Sequence, residues 1–173
     1  MPQTTDFSKQ CIYTALLQLM EIKPYKEITI TDITKRAGVS RMAYYRNYNS
    51  KNDILLQQLH EQMSSFQEQL YDNSNITEQQ FWSEYFWRFC NEPIVAILLE
   101  ANLLEYMSHI HVESIYMIFS HKFHWDISKE ENRMLLYSRI GAVVGLIRFS
   151  VENDGIINKS FVNDILGHYE RYK

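Results

Sequence analysis

Apolar residues recur every three or four positions along most of the chain, the spacing that lines one face of an α-helix, and strand-like alternation is scarce. Phe7, Cys11, Ile12, Ala15, Leu16, Leu19 and Met20 form the first stripe. It stops at Lys23-Pro24, because proline disfavours helical geometry in the residue before it. Thr29-Ile30-Thr31-Asp32 sets a hydroxyl three residues ahead of a carboxylate, the spacing of a capping box, and predicts a short helix to about Ala37, broken by Gly38. Ser40 is placed to cap a third helix over residues 41–48, and Ser50-Lys51-Asn52-Asp53 to cap a long fourth. Thr77-x-x-Gln80 then opens a helix bearing Phe81, Trp82, Tyr85, Phe86 and Phe89, and Glu92-Pro93 separates it from the next. Residues 106–125 read as one bent helix or two short ones. Ser128-x-x-Glu131 opens a long helix to about Asn153, and Phe161, Ile165 and Tyr169 mark a last one. The expected fold class is all-α.

Composition narrows the class. At 173 residues, 46% hydrophobic and 14% aromatic, the chain can bury a core as one ordinary domain or two small ones. The start, MPQTTDFSKQ, lacks the basic and apolar regions of a secretory signal, and the charge-free apolar run 140–147 is short, so no membrane span is expected. Cys11 and Cys90 lie far apart in amphipathic patterns and read as reduced core residues of a cytoplasmic protein. Charge is divided unevenly: residues 1–60 carry a net +3 and residues 61–173 a net −7. Between Lys35 and Lys51 there are five cations and no anion. A basic head on an acidic body points to a polyanion partner for the head alone.

A short helix, a turn with glycine and a second short helix rich in Arg and Tyr is the organisation of a helix-turn-helix, whose second helix enters the DNA major groove. Helical spacing puts Val39, Tyr44 and Tyr48 on an inner face and Arg41, Met42 and Tyr45 on an outer one. Arg41, at the helix start, can reach a guanine edge; Met42 can touch a thymine methyl, and the small Ala43 permits close approach. Tyr45 and Asn47 can donate to phosphates, and Arg46 and Lys51 supply charge. The stretch "ITITDITKRAGVSRMAYYRNYNSKNDIL", residues 28–55, resembles the helix-turn-helix signature of the TetR/AcrR family of transcriptional regulators. By that resemblance Thr31, Arg41, Met42 and Ala43 match base-reading or groove-facing positions, and Thr29, Tyr45, Asn47 and Lys51 phosphate-contacting ones. Tyr44 and Tyr48 stand where the family more often has Leu or Phe, and Asn47 where it has His or Tyr. The implied protein has an N-terminal three-helix DNA-binding domain, residues 1–50, followed by a helical effector-binding and dimerisation domain, residues 51–173. It would be a ligand-responsive repressor that binds a palindromic double-stranded DNA operator as a homodimer.

For the second domain the resemblance implies a pocket for a small apolar or aromatic effector, with Tyr85, Phe89, Tyr106, Met107 and His109 as candidate lining. The competing reading is an ordinary core, with a partner protein in place of the effector. Gly141 and Gly145 lie one helical turn apart, a strip that lets another helix approach closely. By the resemblance, they form with Phe149, Phe161, Ile165 and Tyr169 the candidate dimer interface. His109-x-His111 and His121-x-x-His124 lack further ligands at matching spacing and read as surface histidines, so no metal or cofactor is expected. No nucleophile constellation or glycine-rich phosphate loop argues for an enzyme.

Overall fold

Three of the capping signals in the sequence are closed hydrogen-bond pairs in the computed structural model, which describes residues 3–72, 75–90, 92–153, 160 and 164. Asp32 N–H donates to the Thr29 hydroxyl at 3.1 Å while the Thr29 N–H donates to the Asp32 carboxylate at 2.8 Å. Ser50 and Asp53 make the same reciprocal pair, as do Thr77 and Gln80. Each satisfies backbone donors that a helix start would leave orphaned.

Eight α-helices and no strand occur among the described residues: α1 (Gln3–Met20), α2 (Ile30–Ala37), α3 (Arg41–Tyr45), α4 (Lys51–Asp72), α5 (Glu78–Cys90), α6 (Pro93–Glu100), α7 (Leu104–His121) and α8 (Glu130–Glu152). A 3-10 turn, Tyr25–Glu27, joins α1 to α2. The segment 106–125 thus resolves into one helix and a short tail. Two element limits differ from expectation. α3 ends at Tyr45 because the Asn47 side-chain amide takes the Ala43 carbonyl at 2.7 Å, and the Asn47 N–H turns to Tyr44 O at 2.9 Å. α8 starts one residue late, because Ser128 donates both N–H and Oγ–H to Asp126 and leaves Lys129 as the N-cap. The expected last helix, with Phe161, Ile165 and Tyr169, lies outside the described residues.

The chain divides into two compact units, Met1–Leu59 and His60–Lys173. The division falls inside α4, not at residue 50, because the first two turns of that helix carry Ile54, Leu55 and Leu59 as buried members of the first unit. In that unit α1 packs on α2 and α3, and Ile12, Leu16, Ile33 and Tyr44 close the core. In the second unit α8 packs on α5 and α7, and α6 on α7. α8 is long and apolar enough by composition to cross a membrane, yet Leu136, Ile140, Val143 and Ile147 line one buried face of it.

Tyr44 fills the centre of the first unit, with its ring edge-on to Tyr45 at 5.4 Å and tilted on Tyr48 at 5.8 Å. Its hydroxyl is buried without a hydrogen-bond partner. A sealed, unpartnered hydroxyl costs roughly 1–3 kcal/mol of desolvation. Tyr44→Phe keeps the ring and removes that cost, so urea unfolding should show a gain in stability of about 1 kcal/mol. A loss of that size would mean the hydroxyl has a partner after all.

Candidate nucleic-acid interface

α2 ends at Gly38, whose φ of +68° is left-handed, a conformation that costs a side chain about 1–2 kcal/mol. The Gly38 and Val39 N–H groups both turn back to Thr34 O, which directs the chain sharply into α3. Ser40 caps α3 by accepting the Ala43 N–H at 3.1 Å. The two helices and their turn are therefore held by local hydrogen bonds before any core packing is counted.

On the resulting surface, Thr31, Arg41, Met42, Tyr45 and Arg46 are all exposed. Met42 is 79% exposed and adds an apolar group beside these polar side chains. Among the described residues neither Arg41 nor Arg46 has an ion-pair partner. Between them these five side chains offer charge at Arg41 and Arg46, hydrogen-bonding groups at Thr31 and Tyr45, and an apolar contact at Met42.

The other four expected residues are placed differently. Ala43 is only 9% exposed, so its methyl belongs to the core and not to a groove-facing surface. The Asn47 amide is committed to Ala43 O. Thr29 is exposed, but its hydroxyl donates to Asp32 at 2.7 Å while serving as the cap. The same carboxylate pairs with Lys23 at 2.7 Å. Lys23, then the Thr29 hydroxyl and N–H, hold Asp32 well below the usual carboxylate range.

Lys51 is the largest departure from the expected phosphate-contact role. Its ammonium donates to the carbonyls of Tyr25, Lys26 and Ile28 at 2.6, 3.3 and 3.0 Å, and sits 4.4 Å from the Tyr25 ring centroid. An ammonium has three N–H donors, and all three are engaged. Burial, then the charge of Lys23, lowers its pKa. Next to it the Tyr25 hydroxyl donates to Asn52 Oδ1 at 2.6 Å. Nothing in the spacing of the sequence announced this clasp, because it joins residues more than twenty positions apart.

In the second unit the expected effector-lining set does not converge. Tyr85 and Phe89 are fully buried, whereas Tyr106 and His109 are exposed, and the Met107 side chain lies outside the described residues. The histidine brought to Tyr85 is His111, fully buried, with Nδ1 hydrogen-bonded to the Tyr85 hydroxyl. Phe89 lies 4.7 Å from the imidazole, and Phe66 and Phe81 pack on Tyr85 at 6.0 and 6.1 Å. His111 Nε2 has no hydrogen-bond partner. Among the described residues no cluster of three metal-ligating side chains forms.

A capped helix, a glycine turn and a short helix presenting free arginines define a helix-turn-helix DNA-binding protein. Residues 12–57 match the family described as bacterial regulatory proteins, tetR family. The head is thus similar to the DNA-binding domain of tetR family regulators, and the described residues that follow it are helical. A search of curated proteins found no match to the chain.

Burial, then the nearby His60, lowers the His111 pKa from 6.5 to about 3. The folded state therefore favours neutral imidazole, while the unfolded chain takes up a proton below pH 6.5. This contribution to stability is complete above pH 6.5 and is lost as pH falls from 6.5 toward 3, by about 1.4 kcal/mol per unit. Unfolding free energies measured from pH 7 to 4 should show that slope, and His111→Phe should remove about one proton's worth of it. Equal slopes in the two proteins would place the imidazole in contact with solvent.

Proposed function

We propose that the protein is a homodimeric, cytoplasmic repressor, a binding protein and not an enzyme, that reads a palindromic operator and responds to a small effector bound by its second unit. The observation that carries the DNA-reading part is the uncommitted face of α3. Arg41 and Met42 stand at the start of the helix, where side chains reach base edges, while Tyr45 and Arg46 stand a turn later, suited to phosphates. One five-residue helix contacts few bases, and a twofold pair engaging successive major grooves about 34–36 Å apart doubles that reading.

The dimer is supported by α8. Opposite its buried stripe, Met134, Tyr137, Gly141, Gly145 and Phe149 follow one another at three- and four-residue steps, and all five are exposed. A side chain added at Gly141 or Gly145 would meet nothing within 4 Å in the protomer, so the glycines are not required by its own packing. An apolar strip with open glycines suits a second copy of the same helix. A partner protein in place of the small effector is the second reading, favoured by the ring-filled surroundings of Tyr85, Phe89 and His111.

Selection of bound duplexes from a random pool should return a palindrome. Against it, Arg41→Ala should cost about 1–3 kcal/mol and relax preference at one base pair in each half-site. Arg46→Ala should weaken all sequences alike and reduce the salt slope by about 0.9 per protomer. Lys51→Met should instead lower the unfolding stability of the head, since its charge is turned inward onto three carbonyls. Identical losses and slopes for Arg41→Ala and Arg46→Ala would remove the division of labour.

Sedimentation equilibrium should find a dimer for the parent protein and a monomer for Gly145→Leu. The variant's helical signal should be retained, because leucine favours a helix more than glycine does and has open space in the protomer. An unchanged dimer would put the interface elsewhere.

A further inference from the structure

A cleft of about 420 Å³ opens in the second unit between the C-terminal half of α4 and the outer face of α5. Phe66, Leu70, Ile76 and Trp87 give it apolar walls, with Gln69, Glu84 and Arg88 as its polar groups. Its size lies within the range of small-molecule sites, which combine apolar walls with few polar groups. Phe66 turns one side of its ring toward the aromatic core at Tyr85 and Phe89. The other lining residues stand outside that core.

Arg88 is the unusual member. Its guanidinium stacks over Phe66 at 5.6 Å and donates through Nη1 to Gln69 Oε1 at 2.8 Å, a neutral acceptor. Its Nε is sealed from water without a hydrogen-bond partner. Among the described residues no carboxylate lies within ion-pair range of it, although Glu84 stands one turn away on the same helix. A half-buried guanidinium that lacks both a counter-ion and full solvation is a strong candidate to accept a planar anion. The adjoining indole and aliphatic surfaces favour an aromatic ring attached to that anion.

We infer that this cleft binds an aromatic carboxylate, with the carboxylate on the Arg88 guanidinium and the ring system against Trp87 and Ile76. The inference deepens the effector-responsive reading and rests on it for the consequence of binding; occupancy itself is measured without DNA. No bond is made or broken. Specificity comes from charge at one end of the cleft and apolar contact at the other.

Isothermal titration of the full chain with 1-naphthoate and with the neutral 1-naphthamide separates the two contributions. The acid should bind about tenfold or more tightly than the amide, the difference expected of one charge-assisted contact. Arg88→Met should abolish that preference, and Arg88→Lys should restore part of it. Glu84→Gln, at an exposed rim position, should tighten naphthoate binding by removing a like charge, and it keeps the inference testable if Arg88→Met fails to fold. Absence of binding, equal affinity for acid and amide, or a folded Arg88→Met protein with unchanged preference would each overturn the site. Binding of naphthoate that leaves operator affinity unchanged would uphold the site and count against the effector role.

Discussion

Three backbone carbonyls converge on the Lys51 ammonium, and the shape of the DNA-reading head depends on that convergence. The 3-10 turn Tyr25–Glu27 brings the Tyr25 and Lys26 oxygens to one side, and the ammonium is a second donor to Tyr25 O, which already accepts the Ile28 N–H. Charge-assisted bonds of this kind contribute about 1.5–3 kcal/mol each in measured series, and sharing one cation among three acceptors makes their sum smaller than three such values. The clasp holds the start of α4 against the turn that leads into α2, and the Tyr25–Asn52 hydrogen bond repeats the tie one residue on. With both ends of α2 and α3 so fixed, the local caps at Thr29, Gly38 and Ser40 decide which way α3 points.

The second unit solves a different problem. It has more aromatic surface than a small core can surround with aliphatic neighbours, so rings pack on rings: Phe81, Trp82, Tyr85 and Phe119 are all fully buried and in mutual contact. Among the described residues His111, Arg139 and Ser150 are the polar ones buried in this unit, and the two larger are held under strict conditions. His111 stays neutral beside Tyr85, and Arg139, buried on α8, meets Glu78 at 3.7 Å while lying over Trp125 and Trp82 at 5.6 and 6.0 Å. Trp125 donates to the same Glu78 at 2.7 Å. Such a network binds the start of α5 to α8, at a desolvation cost that only mutual pairing offsets. α8 is thereby committed on one face and left apolar on the other.

The local signals were legible in the sequence, and the tertiary ones were not. Thr29–Asp32, Ser50–Asp53, Thr77–Gln80 and Pro93 all mark real helix starts, because a cap is decided by residues three positions apart. Ser128 misleads because Asp126, two residues earlier, competes for its hydroxyl. Helical phase identified Tyr44 and Tyr48 as core and exposed Arg41, Met42 and Tyr45, whereas small size and the family resemblance put Ala43 at the groove when its side chain is packed inside. The role of Lys51 depends on carbonyls more than twenty residues away, and a periodic pattern carries no record of them. His111 rather than His109 enters the core for the same reason: the sequence shows two histidines two positions apart, and only the packing of α7 chooses between them.

A reading surface is useful for evolution only if it can change without unfolding the protein, and the head separates those demands. The residues that hold it together, among them Thr29, Asp32, Ser40, Asn47, Lys51, Asn52 and Tyr44, are buried or bonded within the chain. Arg41, Met42 and Arg46 are exposed and outside the core, and Tyr45 is half exposed, meeting the core only at the edge of the Tyr44 ring. Surface substitutions away from packing and hydrogen bonds usually change stability by less than about 0.5 kcal/mol, whereas one base contact is worth about 1–3 kcal/mol of discrimination. On the proposed reading, sequence preference can therefore shift at these positions by more than stability does. The local excess of positive charge falls on the same segment, since a cation near a polyanion helps binding only where the fold has not already used it.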